Sequence, residues 1–143
     1  AAVMVAHRIS GADTSGSNGS GAIGASAIAN TGATDTDSPS VGITTTAANS
    51  RVYGGATHRS RTYSVGAGET AISINNSVGT AGDVTSLSTE YQDVASASTV
   101  TINGTLNSAF DWIQGAVEVK AAPEARPPIA LVVVPVFPLF LEL

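Results

Sequence analysis

Two histidines, two closely spaced aspartates and one short basic run are the residues of this 143-residue chain whose types could do chemistry. His7 alternates with Val3, Val5 and Ile9 at every second position. That spacing puts its ring on the apolar side of a strand, where a hydrogen-bonded core or interface imidazole is expected rather than a base or a metal ligand. His58 opens His58-Arg59-Ser60-Arg61, the basic cluster of the chain. Arginine suits phosphate or carboxylate recognition, but three such charges on a loop more often form a solvated turn or a subunit contact, which is the expectation here. Asp35-Thr36-Asp37-Ser38 gathers oxygen atoms of the kind that Ca²⁺ takes roughly six to eight at a time, so Asp35 and Asp37 are the candidate Ca²⁺ ligands. The loop lacks the glycine and distal glutamate of an EF-hand, and an Asx turn into Ser38-Pro39 accounts for the same residues.

Other chemistries find no support. The chain has no cysteine, which excludes thiolate metal sites, a cysteine nucleophile and disulfide staples. No Gly-x-Ser-x-Gly elbow, paired-carboxylate spacing or glycine-rich strand-to-helix turn occurs. A non-enzymatic role is expected, with no cofactor beyond a possible Ca²⁺. Six basic residues against eleven acidic ones argue against nucleic acid as a partner. Asn18-Gly19-Ser20, Asn75-Asn76-Ser77 and Asn103-Gly104-Thr105 match glycan acceptor patterns, as chance allows in so Ser- and Thr-rich a chain. Tyr53, Tyr63, Tyr91 and Trp112 could line a sugar-binding face, but they are scattered over four segments, and Trp112 sits where a core anchor is expected.

The elements that position these residues are strands. Ala, Ser, Thr and Gly fill half of the chain, and charged residues only 12%. No stretch carries the apolar spacing of an amphipathic helix. Period-two runs separated by turn residues predict strands at Ala2–Ile9, near Gly21–Ala29, and at Val41–Thr46, Arg51–Thr57, Glu69–Ile74, Val84–Gln92, Ser98–Asn103 and Phe110–Ala121. Turns are expected at Ala47-Ala48-Asn49-Ser50 and Asn75-Asn76. In the last strand Ile113, Val117 and Val119 alternate with Gln114, Glu118 and Lys120, which predicts the first set inward and the second wet. This series indicates an all-β fold, an antiparallel sandwich or jelly roll.

Composition changes at Pro123. Residues 1–122 read as the sandwich domain, 123–128 as a Pro- and Ala-rich linker, and Ile129–Leu143 as an apolar segment charged only at Glu142. Fifteen residues interrupted by Pro135 and Pro138 fall short of the ~20 that a membrane-spanning helix needs. An extended strand fits better, closing its own sandwich or pairing with a neighbour. Ile129, Leu131, Val133, Val136, Phe137 and Phe140 are its candidate assembly residues.

Val3–Asp13 (VMVAHRISGAD), Ser38-Pro39-Ser40-Val41 followed by Ile43–Thr46, and Asp111–Lys120 (DWIQGAVEVK) together resemble a loosely defined group of β-sandwich proteins of tailed phages and secreted bacterial proteins. The resemblance covers the later half of that group's domain and carries no active-site residues. Members have further strands before the first motif, and the segment after Pro123 lies outside the pattern, so that segment is a candidate to supply a missing strand, in cis or in trans.

The sequence therefore leads to a structural subunit of an extracellular or virion assembly: a phage surface, decoration or fibre protein whose partners are its own copies and other assembly proteins. A secreted prokaryotic filament or pilus subunit joined by donor-strand exchange is the alternative within that class. A carbohydrate-binding module acting on surface glycans is the alternative outside it.

Overall fold

The computed structural model describes residues 4–59, 61–75 and 84–123. A short 3-10 segment, Ser17–Ala22, precedes β1 (Ile23–Asn30). Then follow β2 (Ser40–Thr44), β3 (Ser50–Arg59), β4 (Tyr63–Val65), β5 (Thr70–Asn75), β6 (Thr85–Val94), β7 (Thr99–Leu106) and β8 (Trp112–Val119). All the pairings between them are antiparallel. They build a five-stranded sheet in the order β1-β8-β3-β6-β5 and a three-stranded sheet in the order β2-β7-β4. The sheets pack face to face as a β-sandwich, so the fold is all-β. Among the described residues no helix is long and apolar enough to cross a membrane.

The core lies between the sheets and is made of modest side chains. Val41 and Ile43 of β2 and Ile102 of β7 meet Val52, Val94 and Ala116 of the larger sheet. A second cluster joins Ala56, Tyr63, Leu106 and Trp112. Because protein interiors are close-packed, a core of this composition brings backbones near neighbouring side chains. Gly104 in β7 lies against the Tyr63 ring, so that a side-chain carbon there would collide with it. The turn expected at Ala47–Ser50 forms, with Asn49 at φ 53°, a left-handed conformation that asparagine tolerates better than most residues.

Several expectations need correction. Met4–Ser10 forms no strand, and Ala12 makes only an isolated bridge to Ala121. The place beside β8 is taken by β1, and the N-terminal segment instead crosses the outer face of the larger sheet, where the His7 ring stacks on Tyr53. The strand at β4 was not expected, because three residues are too few for a period-two signal. His58 and Arg59 belong to β3 rather than a loop, held there by pairing with Ser86 and Thr85 of β6. In β8 the alternation is real but inverted from Trp112 to Glu118, while Val119 is buried as expected. Trp112, Gln114, Ala116 and Glu118 are buried, and Ile113 is exposed. Residues 124–143, including the linker beyond Pro123, and Asn76 of the second turn lie outside the described residues.

The packing of Gly104 gives a direct test. Gly104→Ala should cost ~1–3 kcal/mol in urea unfolding, the usual range for overpacking. Gly42→Ala, at a β2 position with nothing within 4 Å of the added carbon, should be neutral or slightly stabilising.

Candidate functional site

Two carboxylates stand inside the sandwich with no exposed surface, and their surroundings drive them in opposite directions. Glu90 of β6 accepts the Tyr63 hydroxyl proton at 2.8 and 2.9 Å and the Gln114 Nε2 amide at 2.9 Å. Burial pushes this carboxyl up to about 7, only partly opposed by the Tyr63 and Gln114 hydrogen bonds, while nearby Glu69 adds like-charge repulsion. The Tyr63 hydroxyl is itself pushed upward, by burial first and by Glu90 second. His58 stacks on the Tyr63 ring at 5.9 Å, and its pKa is lowered by burial and then by Arg61.

Glu118 of β8 has the opposite fate. Burial again favours its neutral form, but four groups donate to the carboxylate: the N–H groups of Ala25, Thr46 and Ala47 at 2.9–3.0 Å and the Thr46 hydroxyl at 2.8 Å. Together they outweigh burial and hold the pKa at about 2. The register irregularity between Ile23 and Ser26 turns the Ala25 N–H inward to meet it. Both acids are sealed from any substrate in this structure. Their chemistry acts on the fold.

The accessible chemistry is on the outer face of the five-stranded sheet. Register places Ser26, Val117, Tyr53 and Tyr91 in one row across β1, β8, β3 and β6. The next row is Ile28, Gly115, Gly55 and Thr89, and the third is Asn30, Ile113, Thr57 and Leu87. Ile28 of β1 is 76% and Ile113 of β8 52% exposed. The first row ends in a polar and aromatic cluster. Tyr53 and Tyr91 lie 6.1 Å apart, Arg51 sits 4.0 Å over the Tyr91 ring and Asp93 holds the guanidinium through two bonds of 2.6 and 3.1 Å. His7 completes it, with Nε2 3.2 Å from the Thr89 hydroxyl.

No family model, curated protein or solved structure matches this chain.

The residues singled out from sequence fare differently. His7 is exposed and outside any strand, with the Tyr53 ring and the Thr89 hydroxyl as its partners, rather than on the apolar side of a strand. The basic run is divided, with His58 inside and the Arg59 and Arg61 guanidiniums 5.8 and 4.4 Å from the Phe110 ring. Asp35 and Asp37 are exposed, and the Asp37 carboxylate accepts the Ser38 hydroxyl at 2.8 Å. Among the described residues no group of three or more His, Cys, Asp or Glu is placed to hold a metal. Tyr53 and Tyr91 meet on the surface, whereas Tyr63 and Trp112 are core residues. Ile129, Leu131, Val133, Val136, Phe137 and Phe140 lie outside the described residues. The sequence reading missed Glu90, Gln114 and Glu118 as interior groups and Ile28, Gly55 and Gly115 as surface ones. One signal was present: Trp112, expected in the core, shares its parity with Gln114 and Glu118 and not with Ile113.

The two acids predict a pH signature. Glu90 binds its proton more tightly folded than unfolded, so its contribution is complete below about 4.5 and is lost as pH rises through about 7. Glu118 is the reverse, contributing above about 4.5 and failing as pH falls through about 2. His58, whose pKa is lowered first by burial and then by Arg61, binds its proton less tightly folded than unfolded, so it adds stability as pH rises and opposes Glu90. Comparison with single variants separates these effects. Between pH 4.5 and 8, wild type should lose stability relative to Glu90→Gln by on the order of 3 kcal/mol. Below pH 4.5 it should lose stability relative to Glu118→Gln. Urea unfolding across pH 2–8 measures both.

Proposed function

We propose that this chain is a structural subunit of an extracellular or virion assembly, such as a phage surface, decoration or fibre protein, joined to its neighbours by strand and apolar contacts. The observation that carries this reading is the exposed apolar part of the outer face of the five-stranded sheet, where Ile28 of the edge strand β1 and Ile113 of the neighbouring β8 stand largely in water. Exposed apolar surface on a regular sheet is a characteristic of interaction sites. The edge supports it as well: β1 has the sequence IGASAIAN without a charged residue, and it has no strand partner on its outer side among the described residues. Monomeric sheet proteins usually protect such an edge with charge, proline or a bulge. The bulge here lies at one end, between Ile23 and Ser26, which leaves Ala27–Asn30 regular. The resemblance to phage and secreted β-sandwich proteins agrees with this role, as do the jelly-roll-like arrangement that it implies and the apolar terminal strand read from the sequence of Ile129–Leu143. A filament or pilus subunit joined by donor-strand exchange is the same reading with a different symmetry.

Placing Lys at both Ile28 and Ile113 tests it. Circular dichroism should be unchanged, because both side chains point into water. Light scattering and electron microscopy should show the ordered material of the wild type replaced by monomers. A wild type that is monomeric at all concentrations would refute the assembly reading.

The meeting of Tyr53 and Tyr91 favours a second reading, a carbohydrate-binding module using that pair with Arg51 and Asp93 as polar groups. It predicts that a monomer binds glycans, with Tyr53→Ala or Tyr91→Ala weakening binding by about tenfold each, the value of one lost aromatic stacking contact. A glycan array followed by titration calorimetry decides this, and an assembly subunit should show no monomer–glycan binding at this pair.

A further inference from the structure

We infer, on the assembly reading above, that the notch at the centre of the outer sheet face seats the apolar segment Ile129–Leu143 of a neighbouring copy of this chain. The notch is a hollow of about 380 Å³ floored by Gly55 and Gly115, which face each other across β3 and β8, and walled by Ile28, Tyr53 and Val117. A second hollow of about 450 Å³ extends along the same strands over Thr57 and Ile113. Neither glycine is required by the interior. A side-chain carbon would meet nothing nearer than 3.7 Å at Gly55 and 3.9 Å at Gly115, and neither residue has a positive φ. Glycine weakens the middle of a strand and often marks where another chain comes close. Here it leaves an apolar-walled opening where bulkier residues would close it.

The same sequence contains an occupant of matching chemistry. Ile129–Leu143 is apolar except for Glu142, and Pro135 and Pro138 bar it from the centre of a hydrogen-bonded ladder but not from lying over a face. A neighbour's segment is favoured over the chain's own by the way the chain leaves the sandwich. Ala121 still bridges to Ala12, and the Ala122 N–H still donates to the Gly11 carbonyl, as the backbone runs on past the end of β8. Residues 123–128 include Pro123, Pro127 and Pro128, a composition that favours extension at about 3 Å per residue.

The chain has no cysteine, so engineered pairs report without interference. Full-length Ile28→Cys is mixed with full-length Val133→Cys, Val136→Cys or Phe137→Cys, assembled and oxidised, and Ile113→Cys replaces Ile28→Cys in a repeat set. The expected result is a disulfide between two different chains in at least one pairing. Adding Gly115→Val, which fills the notch, should abolish that disulfide while leaving the melting temperature unchanged or raised. A disulfide that forms only within one molecule when both cysteines are on the same diluted chain would overturn the neighbour as donor. Ordered particles without a disulfide in any pairing would overturn this occupant and leave the assembly reading intact. Absence of both particles and disulfides would remove the two together.

Discussion

The Glu118 carboxylate is the interaction on which the rest of this sandwich depends. It reaches from β8 to the β1 bulge through Ala25 and to the β2–β3 turn through Thr46 and Ala47, segments 93, 72 and 71 residues away in sequence. A buried charge is costly unless hydrogen bonds replace its hydration, and here four donors do so. The arrangement works in both directions. Without the acid, three backbone N–H groups at a turn and a bulge would lose their acceptor. Without the bulge and the turn, the acid could not remain ionised inside the protein. Gly24 completes the fit, since a side chain there would run into the Glu118 carboxylate.

Glu90 ties the sheets together farther along the interior, through Tyr63 of the smaller sheet and Gln114 of its own. These polar connections compensate for a limited apolar core, in which several positions facing the opposite sheet carry alanine or glycine. With polar groups drawn inward, isoleucine is left on the outside of β1 and β8. The exposed isoleucines of the outer face and the polar interior are two consequences of the same alternation. A sandwich built this way gains specificity from its buried hydrogen bonds, and it presents to solvent a surface suited to another apolar partner.

Much of the strand order could be read from the sequence because period-two alternation and small-residue turns are local properties. The positions of β2, β3, β5, β6, β7 and β8 follow from them to within a few residues. What was not legible is which face of a strand points inward. In β8 the apolar set Ile113 and Val117 is outside, because the donors that stabilise Glu118 come from residues distant in sequence, and no local pattern announces them. The N-terminal run has the alternation of a strand, yet Met4–Ser10 lies across the outer face instead of extending a sheet edge. Of the candidate site, the Tyr53–Tyr91 pair required the β3–β6 register, and the Gly55–Gly115 notch required β3–β8.

The most direct test of the central claim is cryo-electron microscopy of the native full-length material. The account predicts ordered particles or fibres in which density from another copy covers the outer face of the five-stranded sheet between Ile28, Gly115 and Gly55. Monodisperse single chains, or an assembly in which that face remains bare, would contradict it.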